Sequence, residues 1–286
     1  MIQKPIRPNK ESLGDRMKNN YEVRSQTYLP RRTYSLIRLD GRSFHNYTKN
    51  CKRPYDLDLM SDIDDTAKYL CENIQGCKIA YMQSDEITII LTDFDTIQTD
   101  AWFDGNVQKI ASISASLATA KFNQLRFIRA FNQQRKEFLD CQQLYTGENS
   151  FNLDQPLAQF DSRCWVIPDP IEVHNCLVWR QQDATRNSIQ MTGQSQFSHK
   201  ELQHKSCDEI QEMLWSQKNI NWNDMPAGFK RGRCVIKEIY EAPAVEMATE
   251  KQLSNNTVTR HKWSIIEPPI FTQEPDWIWN HVPKII

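Results

Sequence analysis

Asp40 closes the apolar run Tyr34-Ser35-Leu36-Ile37-Arg38-Leu39 and leads into Gly41-Arg42-Ser43-Phe44-His45, while Asp85 lies in Ser84-Asp85-Glu86 between two further apolar runs. Two carboxylates at neighbouring strand ends can hold a pair of divalent ions over a nucleoside triphosphate. Mg²⁺ prefers oxygen ligands, often one or two carboxylates with phosphate oxygens and waters. A metal pair activates an attacking hydroxyl and stabilises the leaving oxygens. Gly41 would let the backbone approach the phosphates and could offer its carbonyl as a further ligand. The same residues also read as a turn dipeptide and a solvated hairpin tip, because acidic turns are common. Spacing alone leaves both readings open.

The elements that must position these residues are legible around them. Tyr34–Leu39 reads as a strand stopped by Asp40-Gly41. Ile79–Gln83 and Ile87–Leu91, joined by a short polar link, read as a hairpin. Between them Met60, Ile63, Ala67, Leu70 and Ile74 recur at helical spacing. A helix packed on the sheet would bring Asp40 beside the hairpin tip. Trp102–Leu125 reads as a long helix whose Ala/Ser-rich middle permits close packing on the sheet, and residues 127–158 as a helix end and an irregular connection. Arg163–Ile167 reads as a strand stopped by Pro168, helices follow near 171–191 and 200–216, and Val235–Tyr240 is a late strand. A short helix is expected around Ser12–Glu22. The tail, with Pro268, Pro269, Pro275, Pro283, Trp277 and Trp279, reads as extended rather than helical; its tryptophans could dock on the body or on another subunit.

In the segment 176–189, Cys176, Leu177, Ala184 and Ile189 form an apolar side. Arg180, Asp183 and Asn187 share a polar face. Arg180 could meet a triphosphate as a planar donor fork, or form a surface pair with Asp183 worth about 0.2–0.5 kcal/mol.

The chain has 286 residues, 35 basic and 36 acidic side chains and a net charge of −1. That length gives a prior of about two domains: residues 1–170 as the catalytic core with an N-terminal extension, and 171–286 as a helical and strand part that completes the site. A dedicated nonspecific RNA binder is more basic, so phosphate contacts must be local. The compact basic stretch Lys230-Arg231-Gly232-Arg233 is a candidate RNA-backbone loop, and Arg31-Arg32 a second. The cysteines at 51, 71, 77, 141, 164, 176, 207 and 234 include no Cys-x-x-Cys pair and read as reduced thiols of a cytoplasmic protein. His204-x-x-Cys207 lacks two more ligands for zinc. Met1–Pro5 leads into a polar stretch unlike a signal peptide, and no apolar run approaches the ~20 residues of a membrane span.

Arg38–His45 and Gln83–Glu86, followed in order by Phe160-Asp161-Ser162-Arg163 and Trp179-Arg180-Gln181-Gln182-Asp183, closely resemble the tRNA-histidine guanylyltransferase superfamily from about Leu13 to Lys237. The resemblance implies an α/β (α+β) fold, a polymerase palm-like antiparallel sheet with packed helices. It implies nucleotide addition to the 5′ end of an RNA, in the 3′-to-5′ direction. Asp40 and Asp85 match the family's metal carboxylates for two Mg²⁺ ions, and Gly41 its carbonyl ligand. Asp40, Gly41, Arg42, Ser43, Phe44, His45, Ser84 and Asp85 match the segments that hold the nucleotide. Glu86 matches an acidic position that could orient Asp85 or the loop. Arg53 and Lys109 match basic positions.

Members acting on tRNA-histidine continue the tryptophan-arginine-glutamine segment with aspartate-cysteine-histidine-isoleucine-asparagine-asparagine. Here Asp183-Ala184-Thr185-Arg186-Asn187-Ser188 stands instead. This resembles the guanylyltransferase-like branch, which repairs 5′-truncated tRNAs by templated addition. The resemblance implies ATP activation of a 5′-monophosphate end, ATP and GTP or other nucleotides as substrates, tRNA as partner and a homotetramer. The alternative within the family is addition of a single 5′ G to tRNA-histidine. Outside it, a nucleotide cyclase would need no Phe160–Arg163 or Trp179–Asp183 motif, and a noncatalytic RNA binder would have no use for both carboxylates, which repel RNA without metal.

Overall fold

A computed structural model describes residues 12–140, 156–245 and 252–285. Six strands form one antiparallel sheet: β1 (Tyr34–Gly41), β2 (Cys77–Gln83), β3 (Glu86–Leu91), β4 (Phe160–Ile167), β5 (Arg233–Val245) and β6 (Gln252–Ile266). Their spatial order is β4-β1-β3-β2-β5-β6. Strands from both halves of the chain therefore share one sheet.

Strand alternation divides the core. Ile37, Leu39, Ala80, Met82, Ile87, Ile89 and Val235 point to one face. After the short helices α1 (Leu13–Met17) and α2 (Phe44–Tyr47), α3 (Leu57–Asn73) and α4 (Val107–Asp140) pack on that face. Helix α3 buries Ile63, Ala67 and Leu70 as its periodicity requires, and Asp56 caps it by accepting from the Leu59 N–H at 3.0 Å. Ser114 and Ala118 are fully buried on α4, and Ser114 Oγ lies 2.7 Å from Ser162 Oγ on β4. Small side chains do bring this helix close to the sheet.

The opposite face carries Tyr34, Leu36, Ile79, Tyr81, Ile90 and Ile236. Against it pack α5 (Pro170–Gln196) and the tail, through Phe271, Ile278 and Val282. Asp169 and Pro170 start α5 in the expected N-cap and first-turn positions. Beyond the sheet, the end of α5 joins α6 (His199–Leu202), α7 (Cys207–Lys218) and α8 (Ala227–Arg231) around Ile189, Phe197, Ile210, Leu214 and Trp222.

Several expectations change here. Helix α4 runs on to Asp140, where a helix end was expected near Leu125. It is held by Arg126 and Arg129, which bond the buried Asp62 of α3 at 3.0 and 2.6 Å. Residues 102–105 are a separate 3₁₀ turn, with Phe103 and Asp104 in the left-handed region. The helix expected near 200–216 is two, α6 and α7, broken where His204 has a φ of 62°. Strand β5 continues past Tyr240 to pair with β6, which the sequence reading did not contain. The tail is not wholly extended: Trp277–Asn280 is a 3₁₀ turn, and its tryptophans dock on the body. The N-terminal stretch before Ser12, most of the irregular connection after α4, and Cys141 lie outside the described residues. All described cysteines are free. No described helix is long and apolar enough to cross a membrane.

Candidate active site

The register of β1 with its two neighbours decides which side chains meet. Asp40 faces Glu86 on β3 and Asp161 on β4, and Glu86 faces Gln83 on β2. Directly opposed residues share a face, so Asp161, Asp40, Glu86 and Gln83 form one polar row at the end of the α5-covered face. The β2–β3 link is the two residues Ser84-Asp85. Ser84 there has a φ of 48° and Ser43, after the β1 turn, one of 52°. Left-handed serines cost on the order of 1 kcal/mol each, and such strain clusters at functional sites.

Gly41 records how closely the two acidic segments approach. A methyl group built on it would lie 2.7 Å from Asp85 Oδ2 and 2.2 Å from Phe44 Cδ2. Only glycine leaves the Asp85 carboxylate room against the end of β1. Among the described residues neither Asp40 nor Asp85 has a cationic partner. Burial pushes the Asp85 carboxyl up to about 6; the Asp40 charge adds to the rise, while the Ser84 hydroxyl and the backbone oppose it. Two carboxylates without cationic partners, the Asp85 oxygen against Gly41 and Asp40 next to that glycine in the chain, suit a hard cation whose remaining ligands are phosphate oxygens and water. No group of three or more described His, Cys, Asp or Glu side chains is arranged to hold a metal by itself, the His204–Cys207 region included.

Glu86 turns away from this pair. Its Oε2 lies 3.8 Å from Arg38 Nε and 3.3 Å from Arg180 Nη1. Burial pushes its carboxyl above the usual range, and the charges of Arg180 and Arg38 offset part of the rise. Arg180 also donates to Asp183 Oδ2 at 2.6 Å, and Gln83 Nε2 and Asn187 Nδ2 reach the same oxygen at 3.3 and 3.4 Å. Burial opposes ionisation of Asp183, but the Arg180 hydrogen bond and charge outweigh it and hold the carboxyl below its usual range. Arg180, Asp183 and Asn187 are thus brought together at the hairpin. The Arg180 side chain is only 6 % exposed, with its fork filled by two carboxylates. It fastens α5 to the hairpin carrying Asp85 and is not an open triphosphate ligand.

Other expected site residues separate. Arg42 is exposed, with Nη1 3.0 Å from Gln159 Oε1; Ser43 and His45 are exposed beside it. The Phe44 side chain is buried among Tyr47, Phe122 and Phe160, so it anchors the loop from below and does not face a nucleotide. Lys109 is exposed but misplaced. Thr119, ten residues later on α4, accepts from the Phe160 N–H at the site end of β4, which leaves Lys109 about 15 Å back along the helix.

The basic stretch is not an exposed loop: Lys230 and Arg233 are each only 7 % exposed. Lys230 donates to the Asn223 carbonyl and lies over the Trp222 ring; Arg233 Nε donates to Asp64 Oδ1 at 2.6 Å. Arg231, half-buried, is left alone in that role. Arg31 is bound to Asp93 at 2.7 Å, at the far end of β1. A pocket beside Ser84, lined by Tyr55, Met60, Asn187 and Phe229 among others, went unnoticed in the sequence because its walls come from four distant segments.

The family model for tRNA(His) guanylyltransferase, Thg1, matches residues 14–168, the span that includes β1, the hairpin and β4. The chain belongs to the Thg1 family. Members of the Thg1 family are guanylyltransferases, and so nucleotidyltransferases. A probable tRNA(His) guanylyltransferase of Dictyostelium discoideum is 28% identical over 253 residues, 84% of this chain and 89% of that protein. A bacterial Thg1-like protein solved in complex with ATP is 41% identical, with a TM-score of 0.75 over 95% of this chain and 99% of that one. A bacterial Thg1-like structure in complex with GTP is 38% identical, with a TM-score of 0.72 over 96% and 100%. These likenesses support the Thg1-like branch that the Asp183–Ser188 segment suggested, and the palm-like sheet.

Proposed function

We propose that this protein extends the 5′ end of tRNA by templated 3′-to-5′ nucleotide addition, using two Mg²⁺ ions held by Asp40 and Asp85. The observation that carries the reading is the approach of the Asp85 carboxylate to Gly41, the residue after Asp40, with neither carboxylate ion-paired among the described residues. The ATP and GTP complexes of the bacterial relatives support nucleotides as ligands. When bound, the two ions lower the pKa of the attacking 3′-hydroxyl and offset triphosphate charge.

The chain's own residues do the rest. Asp40 and Asp85 fix the ions, and the Gly41 carbonyl adds one ligand. The exposed backbone and side chains of Arg42, Ser43 and His45 face the triphosphate. Tyr55 and Phe229, in contact with ring centroids 4.8 Å apart, form one aromatic wall beside Ser84. Arg180 and Glu86 hold the hairpin still while charge moves past Asp85. ATP activation of a 5′-monophosphate and a homotetramer bridged by RNA belong to the same reading.

Thr185 and Ser188 favour repair over obligate single-G addition. Ser188 is buried, accepts from Trp222 Nε1 at 3.1 Å and donates to the Thr185 carbonyl, so this segment serves packing here. Calorimetric titration with ATP and GTP tests the site. Binding should require Mg²⁺ and fall below detection in Asp40→Ala; equal binding in EDTA would count against the reading.

A further inference from the structure

The α5-covered face continues past the carboxylate row. Two residues back along β1, Arg38 opposes Arg163 of β4, and two further back Leu36 opposes Trp165. At about 3.4 Å per residue, the arginine pair sits about 7 Å from Asp40 and Asp161. Here an open groove of about 500 Å³ runs between β4 and α5, lined by Arg38, Arg163, Trp165, Asn175 and Trp179 among others.

Trp179 is the unusual element. It is 50 % exposed, in the middle of a helix whose neighbouring residues Leu177, Arg180 and Gln181 are buried. The Arg180 guanidinium lies 3.9 Å from its ring centroid and that of Arg38 5.8 Å. An indole backed by buried cations is held in one orientation, yet half of it stays open. Arg163 is half exposed, and its ion pair among the described residues is a 3.3 Å contact to the equally exposed Asp161, weak enough to exchange for phosphate. Asn175, bonded to Glu172 at 3.1 Å on the groove wall, offers amide and carboxylate groups to a base edge. A packing role explains the buried edge of Trp179 but not its exposed half beside an arginine pair.

We propose that this groove docks an unpaired nucleobase next to the reaction centre, with Trp179 stacking on the base and Arg163 meeting its phosphate. Aromatic platforms flanked by arginine bind single-stranded nucleic acid in this way, with little sequence preference. The proposal rests on the 5′-end nucleotidyltransferase reading and deepens it. Two sources share the chemistry: an unpaired RNA residue and a free nucleotide.

The test is fluorescence anisotropy of a 3′-labelled, 5′-monophosphorylated RNA hexanucleotide with the full chain in EDTA. Stacking of one base is worth about 1–3 kcal/mol, so Trp179→Ala should weaken binding about fivefold or more. Trp179→Phe should stay within about threefold of wild type, and Arg163→Ala should weaken binding and flatten its salt dependence. Competition by unlabelled ATP would assign the platform to a free nucleotide, and its absence to RNA. Wild-type affinity in Trp179→Ala, or equal loss in the Phe and Ala variants, would overturn the proposal. No reaction occurs in EDTA, so a failed polymerase reading is seen separately, as absent extension with hexanucleotide binding intact.

Discussion

At Asp85, position and ionisation are one problem. Its native carboxyl titrates near 6, against an ordinary carboxylate value of 3.8, because it is partly withdrawn from water beside Asp40. A raised carboxyl keeps its proton in the native state at a pH where the unfolded chain has lost it. The metal-free protein is therefore penalised above pH 6, and the penalty vanishes below about pH 4. Asp85→Asn should raise the metal-free melting temperature at pH 7.5, and the gain should shrink to nothing by pH 4; thermal scans across that range check it. A gain independent of pH would mean that Asp85 is not held as described. Gly41→Ala tests the same contact from the other side. Its methyl would overlap the Phe44 ring and crowd Asp85, so stability should fall by about 1–3 kcal/mol and Mg²⁺-dependent nucleotide binding at least tenfold. Denaturant unfolding and calorimetry read the two effects separately.

Among the elements, α5 joins site and frame. Arg180 faces the hairpin, and the next residue, Gln181, faces the tail. Gln181 donates to the Pro269 carbonyl and accepts from the Phe271 N–H, both at 2.9 Å. Gln181→Ala leaves the buried Phe271 N–H and the part-buried Pro269 carbonyl unpaired, the first at about 1–3 kcal/mol, and should loosen the tail from α5. Chemical denaturation should show the loss, and hydrogen exchange should place it at Phe271; an unchanged Phe271 amide would refute the clip.

Elements with one apolar face were legible in the sequence: β1, α3, the β2–β3 hairpin and the first half of α4. Strand β6 was not. Asn255, Thr257, Thr259, Arg260, His261 and Lys262 give it no period-two pattern, because it forms a two-stranded ribbon with β5 beyond the point where β2 stops. The second half of α4 leaves Phe127, Ile128 and Phe131 exposed, and its hold on Asp62 is a long-range ion cluster that periodicity does not register. Motif residues could be named, but burial could not be. Lys230, Arg233 and Phe44 looked like surface or ligand groups until Asn223, Asp64 and Phe122 were placed beside them.

For the whole molecule, one sheet face is a closed core under α3 and α4. The other is closed by α5 and the tail over Gln83 and Glu86, and on the β4 side it leaves Asp161 and Arg163 half exposed beside Asp40. A nearly neutral chain can then serve a polyanion, because cation demand is concentrated at one place where metal would supply it. Elsewhere the carboxylates Asp62, Asp64 and Asp93 are spent on internal pairs with arginines. The most direct measurement is 5′ extension of a tRNA that lacks its first nucleotide and bears a 5′-monophosphate, with ATP, Mg²⁺ and labelled nucleotides. The account predicts addition that follows the opposing 3′ strand and disappears in Asp40→Ala and Asp85→Ala. No extension of either monophosphorylated or triphosphorylated tRNA, or extension that persists in both variants, would contradict it.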